Sequence, residues 1–512
     1  MTFNLAVPAQ LMQALLPDLV LMGGAMVLML ISAWGPEGES RQRAVGIGSI
    51  GVLLATLGVV IWYATAGMTS TAGIIAVDSF RWTADVILLI AAIGTIALSI
   101  EYNAREGIHY AESHVLVLFA TSGMMVLTAA RDLMIVFLGI EIMSIAVYVL
   151  VGMNRRSERS AEGSLKYFLL GAFATGFLLY GIALVYGATG TTNLLAIGQR
   201  IHDFHLTQNA MLLIGIALLL IGFGFKVAVV PFHMWAPDVY EGAPTPITAF
   251  MASAVKAAAF AAFFRVWTES FGQLHYAWIV PLWWLAAATM IFGNAVGLAQ
   301  RNVKRLLAYS SVVHSGYLLV AVAAGTLLGS SAFLFYLFAY TLATFGSFAV
   351  VCAVSDAGDK KLAISDYQGL WLVRPGLAVA MAACMLALLG FPVFGGVGFF
   401  GKWYVLQAAV TSPYQLVPLA VLLVLTSVVS AGYYLNVVRV MFMMPRPEGA
   451  TDPAPLGGMT KLVLVVSVAA MLILGLFPGP LVSWTRNSRP TPPPATAADS
   501  AQMTRPVAAA TS

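Results

Sequence analysis

The stretch GFGFKVAVVPFHMWAPDVYEGAPTPITAF, residues 222–250, is the most informative part of the sequence about the fold. It places one lysine, Lys226, at the end of a long apolar run and shortly before Pro231. Proline lacks a backbone N–H and interrupts a helix. At membrane depth, irregular backbone is tolerated only where it is buried in protein or lines a watered cavity. The stretch therefore predicts a broken membrane helix that opens Lys226 to water from one side.

The composition places the whole chain in a membrane. Of its 512 residues, 60% are hydrophobic and 9% are charged, whereas about 25% of a soluble domain is charged. A net charge of +4 gives no basic surface for nucleic acid, and the sequence has no zinc-finger spacing of cysteines and histidines. The two cysteines, Cys352 and Cys384, lie in apolar runs and supply neither a disulfide framework nor an iron–sulfur ligand set. Any electron transfer must therefore occur in a partner.

The hydrophobic runs predict an all-α polytopic fold. A bilayer core needs about 20 apolar residues per helix. The N-terminus, MTFNLAVPAQ, lacks the basic flank of a secretory signal, so the first run is interpreted as a membrane helix. Fourteen spans are predicted, near residues 11–34, 43–66, 82–100, 112–130, 132–153, 164–188, 209–240, 245–268, 277–298, 302–323, 329–355, 375–411, 415–440 and 459–481.

The distribution of lysine and arginine predicts the orientation of the spans. Most of these residues follow odd-numbered spans, whereas the connections and flanks after even-numbered spans hold little beyond Arg81, Arg131, Arg200 and Arg265. Because cytoplasmic loops are enriched in positive charge, both termini are predicted on the periplasmic side of a bacterial inner membrane. The tail, residues 485–512, is rich in Pro, Ala and Thr and is predicted to be disordered.

Two spans are too long for one continuous helix. Span seven, 209–240, is interrupted by prolines, and span twelve, 375–411, is interrupted by GFPVFGGVGFFG. Paired interruptions in two halves of a chain are typical of transporters. Each is fourth in a unit of five spans, so the second unit must be inverted. The predicted divisions are residues 1–111 with the first three spans, 112–268, 277–440, 459–481 with the last span, and the tail.

Four ionisable residues lie inside these spans: Glu141, Lys226, Lys256 and Lys402. A charged side chain at the bilayer centre costs about 2.5–3.5 kcal/mol on insertion scales. For the lysines the simplest alternative is snorkelling to the interface, and for Glu141 it is a hydrogen-bonded structural carboxyl. A buried lysine holds its proton beside a carboxylate and releases it when the carboxylate moves away. The pattern thus predicts a Glu141–Lys226 switch that passes a proton to Lys256 and then Lys402.

Two further residues are candidates for proton transfer. His314, in LLAYSSVVHSGYLLV, lies in the middle of span ten and is either a relay between the two halves or a satisfied core histidine. Lys166 lies near the cytoplasmic end of span six, where it either serves the proton-uptake path or snorkels. Both alternatives stay open for each residue.

Four polar residues in predicted connections are weaker candidates. His233 and Glu241 follow the break in span seven, and solvated or capping roles are favoured for both. His202 and His205, in IHDFHL, have a spacing that metal sites use. A lone histidine pair rarely makes a metal site, so no metal is predicted in this chain.

The runs FLGIEIMSIAVYVL, EGSLKYFLLGA and KVAVVPFHMWAPDVYEGAPTPITAFMASAVKAAAF together resemble the antiporter-like membrane subunits of respiratory complex I, the proton-pumping NADH–quinone oxidoreductase. The resemblance covers spans four to thirteen. It implies fourteen core helices in two inverted units, Glu141 and Lys226 as a modulating pair, Lys256 as central relay and Lys402 as outward terminal site. It also implies antiporter-like partner subunits, with NADH, flavin, iron–sulfur clusters and quinone bound in partners and no cofactor here.

The residue at 402 favours one branch of this family. The two larger antiporter-like members are expected to carry a carboxylate at the site where this chain has Lys402, which favours the subunit N type. The sequence after span fourteen leaves no room for the long lateral helix of the largest member. The subunit M type, an Mrp-type cation–proton antiporter and a membrane-bound hydrogenase subunit remain alternatives, because all share the same core.

Overall fold

The computed structural model describes residues 2–34, 38–70, 73–392, 396–488 and 490. Two short strands, β1 (Thr2–Phe3) and β2 (Thr69–Ser70), pair in parallel with Thr2 opposite Thr69. Most of the remaining described backbone is helical. The fold is therefore the all-α architecture that the hydrophobic pattern predicts.

The helices are labelled in chain order. Those before residue 270 are α1 Pro8–Ala14, α2 Leu16–Ala33, α3 Glu39–Thr65, α4 Ser79–Glu106, α5 Glu112–Ala129, α6 Leu133–Val151, α7 Glu158–Thr189, α8 Leu194–Asp203, α9 Ala210–Lys226, α10 Ala236–Gly242, α11 Thr245–Phe250 and α12 Lys256–Glu269. Those that follow are α13 His275–Leu298, α14 Val303–Ala323, α15 Leu327–Val354, α16 Leu370–Val373, α17 Pro375–Leu389, α18 Val397–Val410, α19 Val417–Met443, α20 Gly458–Leu476 and α21 Gly479–Asn487. Short 3-10 turns and one π-helical turn, Met251–Val255, join some of them.

The helix lengths confirm a polytopic membrane protein. Within the described ranges, 12 helical segments are long and apolar enough to cross a membrane. Spans seven and twelve are not among them because each is divided, into α9 plus α10 and into α17 plus α18. Together these account for the fourteen predicted spans.

The two broken helices enter the bundle from opposite ends. Successive spans alternate in direction, so α9 begins at the end where Asp78 lies, here called the Asp78 end. By the same alternation α17 begins at the other end, here called the Arg305 end. Helix α9 stops inside the bundle at Lys226 and α17 stops at Leu389. This opposite direction is what two inverted units require, whereas the residue limits of the predicted divisions remain predictions.

The positions of the breaks differ in detail from the sequence prediction. In span seven the helix already ends at Lys226, before Pro231, and Ala228 has a φ of 54°. In span twelve the helix ends at Leu389, and residues 393–395 of the predicted break lie outside the described residues. Gly396 has a φ of 51°, and a Cβ there would lie 2.5 Å from the Met471 carbonyl oxygen. The chain therefore needs glycine where α18 begins.

The predicted disordered tail begins too early. Residues 485–487 belong to α21, which packs on α15. Leu481 and Thr485 of this helix are buried, and the Ser488 hydroxyl lies 2.6 Å from that of Thr83. These tertiary contacts order a segment whose composition alone does not indicate a helix. Apart from 488 and 490, the rest of the tail lies outside the described residues.

Glycines let α7 and α9 approach closely. A Cβ at Gly181 of α7 would lie 2.9 Å from the Gly215 carbonyl oxygen and 2.9 Å from the Leu219 nitrogen of α9. Small residues at such crossings are typical of membrane helix pairs, where van der Waals packing drives association. Because α9 carries Lys226, this crossing fixes where the lysine lies.

We expect Gly181→Ala to destabilise the chain by about 1–3 kcal/mol, because backbone atoms of α9 must move to admit the new methyl group. Gly176→Ala is the matched control, since that position on the same helix meets no described atom within 4 Å. Thermal unfolding of the purified proteins in detergent measures the difference. Equal midpoints for the two variants would contradict the close crossing.

Candidate functional site

Lys226 is the last residue of α9 and is buried, with 3% of its surface exposed. Its ammonium donates hydrogen bonds to the Ser144 hydroxyl at 2.7 Å and to the Tyr148 hydroxyl at 3.3 Å. It also lies 5.5 Å from the centre of the Tyr148 ring. The C-terminal end of a helix carries partial negative charge, which favours a cation there. The break in span seven thus gives Lys226 both an electrostatic and a hydrogen-bonding reason to be inside the bundle.

Glu141 does not form the direct ion pair with Lys226 that the sequence suggests. Its carboxylate accepts a hydrogen bond from the Thr175 hydroxyl of α7 at 2.9 Å, and the described ion pairs within 4 Å do not include Glu141. The Glu141 side chain points toward α7, whereas Ser144, one turn further along α6, accepts the hydrogen bond from Lys226. Glu141 and Lys226 still interact through their charges.

Lys256 lies directly after the π-helical turn Met251–Val255, which the sequence analysis missed. Its ammonium donates to the Ser311 carbonyl at 2.6 Å and also contacts the Ser311 hydroxyl. Only 2% of the residue is exposed. Single π turns inside membrane helices occur frequently at functional sites. The extra residue in this turn sets the direction of Lys256 toward α14.

Ser315 connects the break in span seven to Lys256. Its hydroxyl donates to the Val227 carbonyl at 2.6 Å and lies 3.2 Å from the Ser311 carbonyl, the same oxygen that Lys256 binds. Sequence reasoning missed this residue. Its spacing of four from Ser311, which puts both serines on one face of α14, was an available signal.

His314 lies between the lysines of the two halves. One ring nitrogen contacts the Tyr336 hydroxyl, and the other lies 3.1 Å from the Tyr434 hydroxyl. Its charge interactions are with Lys402 and Lys256. Both ring nitrogens thus have hydrogen-bond partners, as in a core histidine. The ring also interacts with a lysine of each half, which is the position that a relay requires. Its role stays a prediction.

The Lys402 side chain extends from α18 to the C-terminal end of α17, the other half of the same broken span. Its ammonium donates to the Leu389 carbonyl at 2.8 Å and to the Ser427 hydroxyl at 2.5 Å, and it lies 4.8 Å from the centre of the Tyr317 ring. The residue is 8% exposed. Like Lys226, it is a cation at the C-terminal end of a half-helix. The ammonium groups of all three lysines bind partners inside the bundle. The alternative that these side chains extend to the membrane interface is therefore wrong.

Lys166 and Glu241 belong to an ion network at the Arg305 end. The Lys166 ammonium lies 2.6 Å from Glu162 and 3.0 Å from Asp238. Arg305 lies 2.8 Å from Asp238 and 3.0 Å from Glu241. The Glu241 side chain is 20% exposed and also pairs with α14, so the solvated or capping role predicted for it stays a prediction. The network fastens α7 and α14 to the short helix α10 that follows the break.

The histidines outside the helix cores have different surroundings. His233 is 7% exposed and its ring packs 5.2 Å from that of Phe292, so the solvated role predicted for it is wrong. His202 lies 3.2 Å from Asp203 on an exposed surface. Among the described residues, no three His, Cys, Asp or Glu side chains gather where a metal ion would fit.

A buried ion network at the Asp78 end was missed by the sequence analysis. It is called the arginine cluster and comprises Arg81, Arg131 and Arg265 with Asp18, Asp78, Asp85 and Glu269. All three arginines have 0% exposure. Asp78 lies 2.8 and 2.9 Å from the two terminal nitrogens of Arg265, and these pairs outweigh burial and lower the pKa of Asp78 to about 2. Hydropathy predicts that these residues lie at the ends of membrane spans, but in the structure they form a buried network of ion pairs.

Comparison with known proteins identifies the family of this chain. A family described as NADH:quinone oxidoreductase/Mrp antiporter, TM, matches residues 130–430. The NADH-quinone oxidoreductase subunit N of Gemmatimonas aurantiaca is 47% identical over 94% of this chain and 94% of its own length. The chain belongs to the NADH-quinone oxidoreductase subunit N family. The subunit N protein of Trichlorobacter lovleyi is 42% identical over 93% of this chain and 96% of its own length.

Solved structures agree with this membership. A chain of respiratory complex I from Thermus thermophilus is 33% identical, with a TM-score of 0.78 over 92% of this chain and 100% of that chain. A chain of the Mrp complex from Dietzia sp. DQ12-45-1b has a TM-score of 0.79 at 21% identity, over 92% of this chain and 97% of its own. The second likeness concerns the fold alone. The subunit N prediction is confirmed, and the Mrp alternative has less support.

Proposed function

We propose that this chain translocates protons as a membrane subunit of an NADH–quinone oxidoreductase, with Glu141, Lys226, Lys256, His314 and Lys402 as the proton relay. Redox chemistry takes place in partner subunits, which bind NADH, flavin, iron–sulfur clusters and quinone. Other membrane subunits, including antiporter-like neighbours, pack beside the chain in the bacterial inner membrane. Both termini face the periplasm, so that the Arg305 end is cytoplasmic.

The single observation that carries this proposal is the row of buried, hydrogen-bonded amines between the two helix breaks. The ammonium of Lys226 lies at the C-terminal end of α9, and that of Lys402 lies at the C-terminal end of α17. Lys256 binds the Ser311 carbonyl, which Ser315 also faces. Lysine suits a relay because it exchanges its proton, whereas arginine stays charged. Without compensation, the charges of Glu141 and the three lysines would cost on the order of 10 kcal/mol or more on insertion scales. A purely structural role does not require that arrangement.

The path has a physical order. The charge of Glu141 favours the protonated form of Lys226, and loss of that charge favours release. Ser315 and Ser311 lead from the Val227 carbonyl to Lys256. His314 then lies between Lys256 and Lys402 and interacts with both charges. Moving one proton against 100 mV requires about 2.3 kcal/mol, which a displaced charge interaction can supply.

We expect Lys226→Ala and Glu141→Ala to lower proton pumping and coupled quinone reductase activity while the complex still assembles. Loss of a proton-transfer group slows the step it serves by about 10²-fold or more. Proton release per NADH oxidised, measured in vesicles, checks the prediction. Glu448→Gln, which removes an exposed loop carboxyl, is the control with unchanged pumping.

A double variant separates the charge interaction from independent effects. If Glu141 acts through Lys226, Glu141→Ala adds little in the Lys226→Ala background, since coupled residues are not additive. Fully additive losses would contradict the modulating pair, and wild-type pumping in Glu141→Ala would remove that residue from the relay. Pumping that requires sodium would instead favour a cation–proton antiporter.

A further inference from the structure

A groove on the outer surface of the bundle lies between the beginning of α17 and α20 and encloses about 590 Å³. Val379, Val465 and Leu472 are among the aliphatic residues that line it, and all three are exposed on the surface of the chain. Arg374 and Lys461 lie at one end of it. Because α17 and α20 both begin at the Arg305 end, this cationic end lies at the membrane boundary and the apolar part extends inward.

Among the described residues, the lining of this groove holds two cations and no carboxylate. Lys461 is in the first turn of α20 and is exposed, and Arg374 precedes α17 and is held at the rim by the Pro453 carbonyl at 2.9 Å. Glu101 of α4 accepts hydrogen bonds from the backbone N–H groups of Met459 and Thr460, but it lines a separate cavity. The N-terminus of α17 adds partial positive charge.

We propose that this groove binds an anionic phospholipid of the surrounding membrane. The phosphate headgroup lies between Arg374 and Lys461, and an acyl chain lies along the aliphatic walls. Basic pockets between membrane helices on the cytoplasmic side recognise anionic headgroups, with about 1 kcal/mol for each Lys or Arg. A free phosphate would fill only the charged end, whereas a phospholipid complements both parts of the groove.

The assembled complex, purified in mild detergent, provides the test. Phosphatidylglycerol and phosphatidylcholine with the same photoactivatable acyl chain are added separately, and labelled peptides of α17 and α20 are quantified by mass spectrometry. We expect phosphatidylglycerol to label them more strongly. Lys461→Gln is expected to lower the ratio of the two labels about fivefold, and R374Q/K461Q further. Arg43→Gln, which removes an exposed cation at the same end of the bundle, leaves the ratio unchanged.

Three results would overturn the proposal. Equal labelling by the two lipids would mean that the groove holds lipid without recognising its charge. An unchanged ratio in Lys461→Gln and R374Q/K461Q would mean that these cations do not hold the headgroup. Absence of labelling by both lipids, with cross-links to a neighbouring subunit instead, would show that protein occupies the groove.

Discussion

Replacing Lys256 with methionine is expected to stop proton transfer through this chain. Methionine fills similar space but has no ammonium to bind the Ser311 carbonyl, the oxygen that also faces Ser315. Because Lys256 lies between Lys226 and His314, the proposed relay then has no group that accepts a proton at its centre. A loss of about 10²-fold or more in the rate of this step is expected. Proton release per NADH oxidised, in vesicles with matched amounts of complex, measures it.

Lys256→Arg separates proton transfer from the need for a buried cation. Arginine keeps the positive charge and donates hydrogen bonds, but it does not give up its proton in proteins. We therefore expect a complex that assembles as well as the unmodified one and pumps as poorly as Lys256→Met. If Lys256→Arg pumps normally, deprotonation at this position is unnecessary and the relay role of Lys256 is wrong.

The second large effect is expected on stability, from Asp78→Asn. Asp78 is 1% exposed and accepts hydrogen bonds from both terminal nitrogens of Arg265. Removing one partner of a buried ion pair costs about 3–5 kcal/mol, and here Arg265 and Arg131 each lose one of the carboxylates with which they pair. Asparagine still caps α4 through the Arg81 N–H, so the loss reports on the charge rather than on the cap. The midpoint of thermal unfolding in detergent and the amount of assembled complex measure it.

Asp203→Asn is the matched control for this prediction. The Asp203 side chain is 64% exposed beside His202, and exposed pairs contribute about 0–1 kcal/mol. Asp78→Asn combined with Arg265→Gln is not expected to recover the loss, because Glu269 then also loses its pair with Arg265. If Asp78→Asn unfolds at the same temperature as Asp203→Asn, the arginine cluster does not stabilise the Asp78 end.

Much of the site could be predicted from composition and spacing. Charged residues are rare in membrane spans, so Lys226, Lys256 and Lys402 can be identified as candidates from the sequence. In the structure all three are buried and form hydrogen bonds inside the bundle. Composition and spacing could not show whether Glu141 and Lys226 form a direct ion pair. Hydropathy places both residues at membrane depth but does not give the rotation of α6, and that rotation turns Glu141 toward Thr175.

The arginine cluster shows the same limit more clearly. Arg265 follows Asp78 by 187 positions, and their contact exists only because α12 packs beside the beginning of α4. Positive charge near span ends ordinarily indicates orientation, so no pattern in the sequence predicts that these residues are buried. The π-helical turn before Lys256 is likewise invisible to a pattern that assumes regular helical spacing.

Hydropathy and residue spacing are enough to predict that the chain spans a membrane about fourteen times, that two spans are broken and that amines lie within them. Each of these properties follows from the cost of placing polar groups in hydrocarbon, which every span must satisfy locally. Which groups contact each other, such as Ser315 with the Val227 carbonyl at the break and His314 with the charges of Lys256 and Lys402, depends on the three-dimensional packing. Those contacts depend on the rotation and register of helices that are distant in the chain, and packing of the whole bundle fixes both.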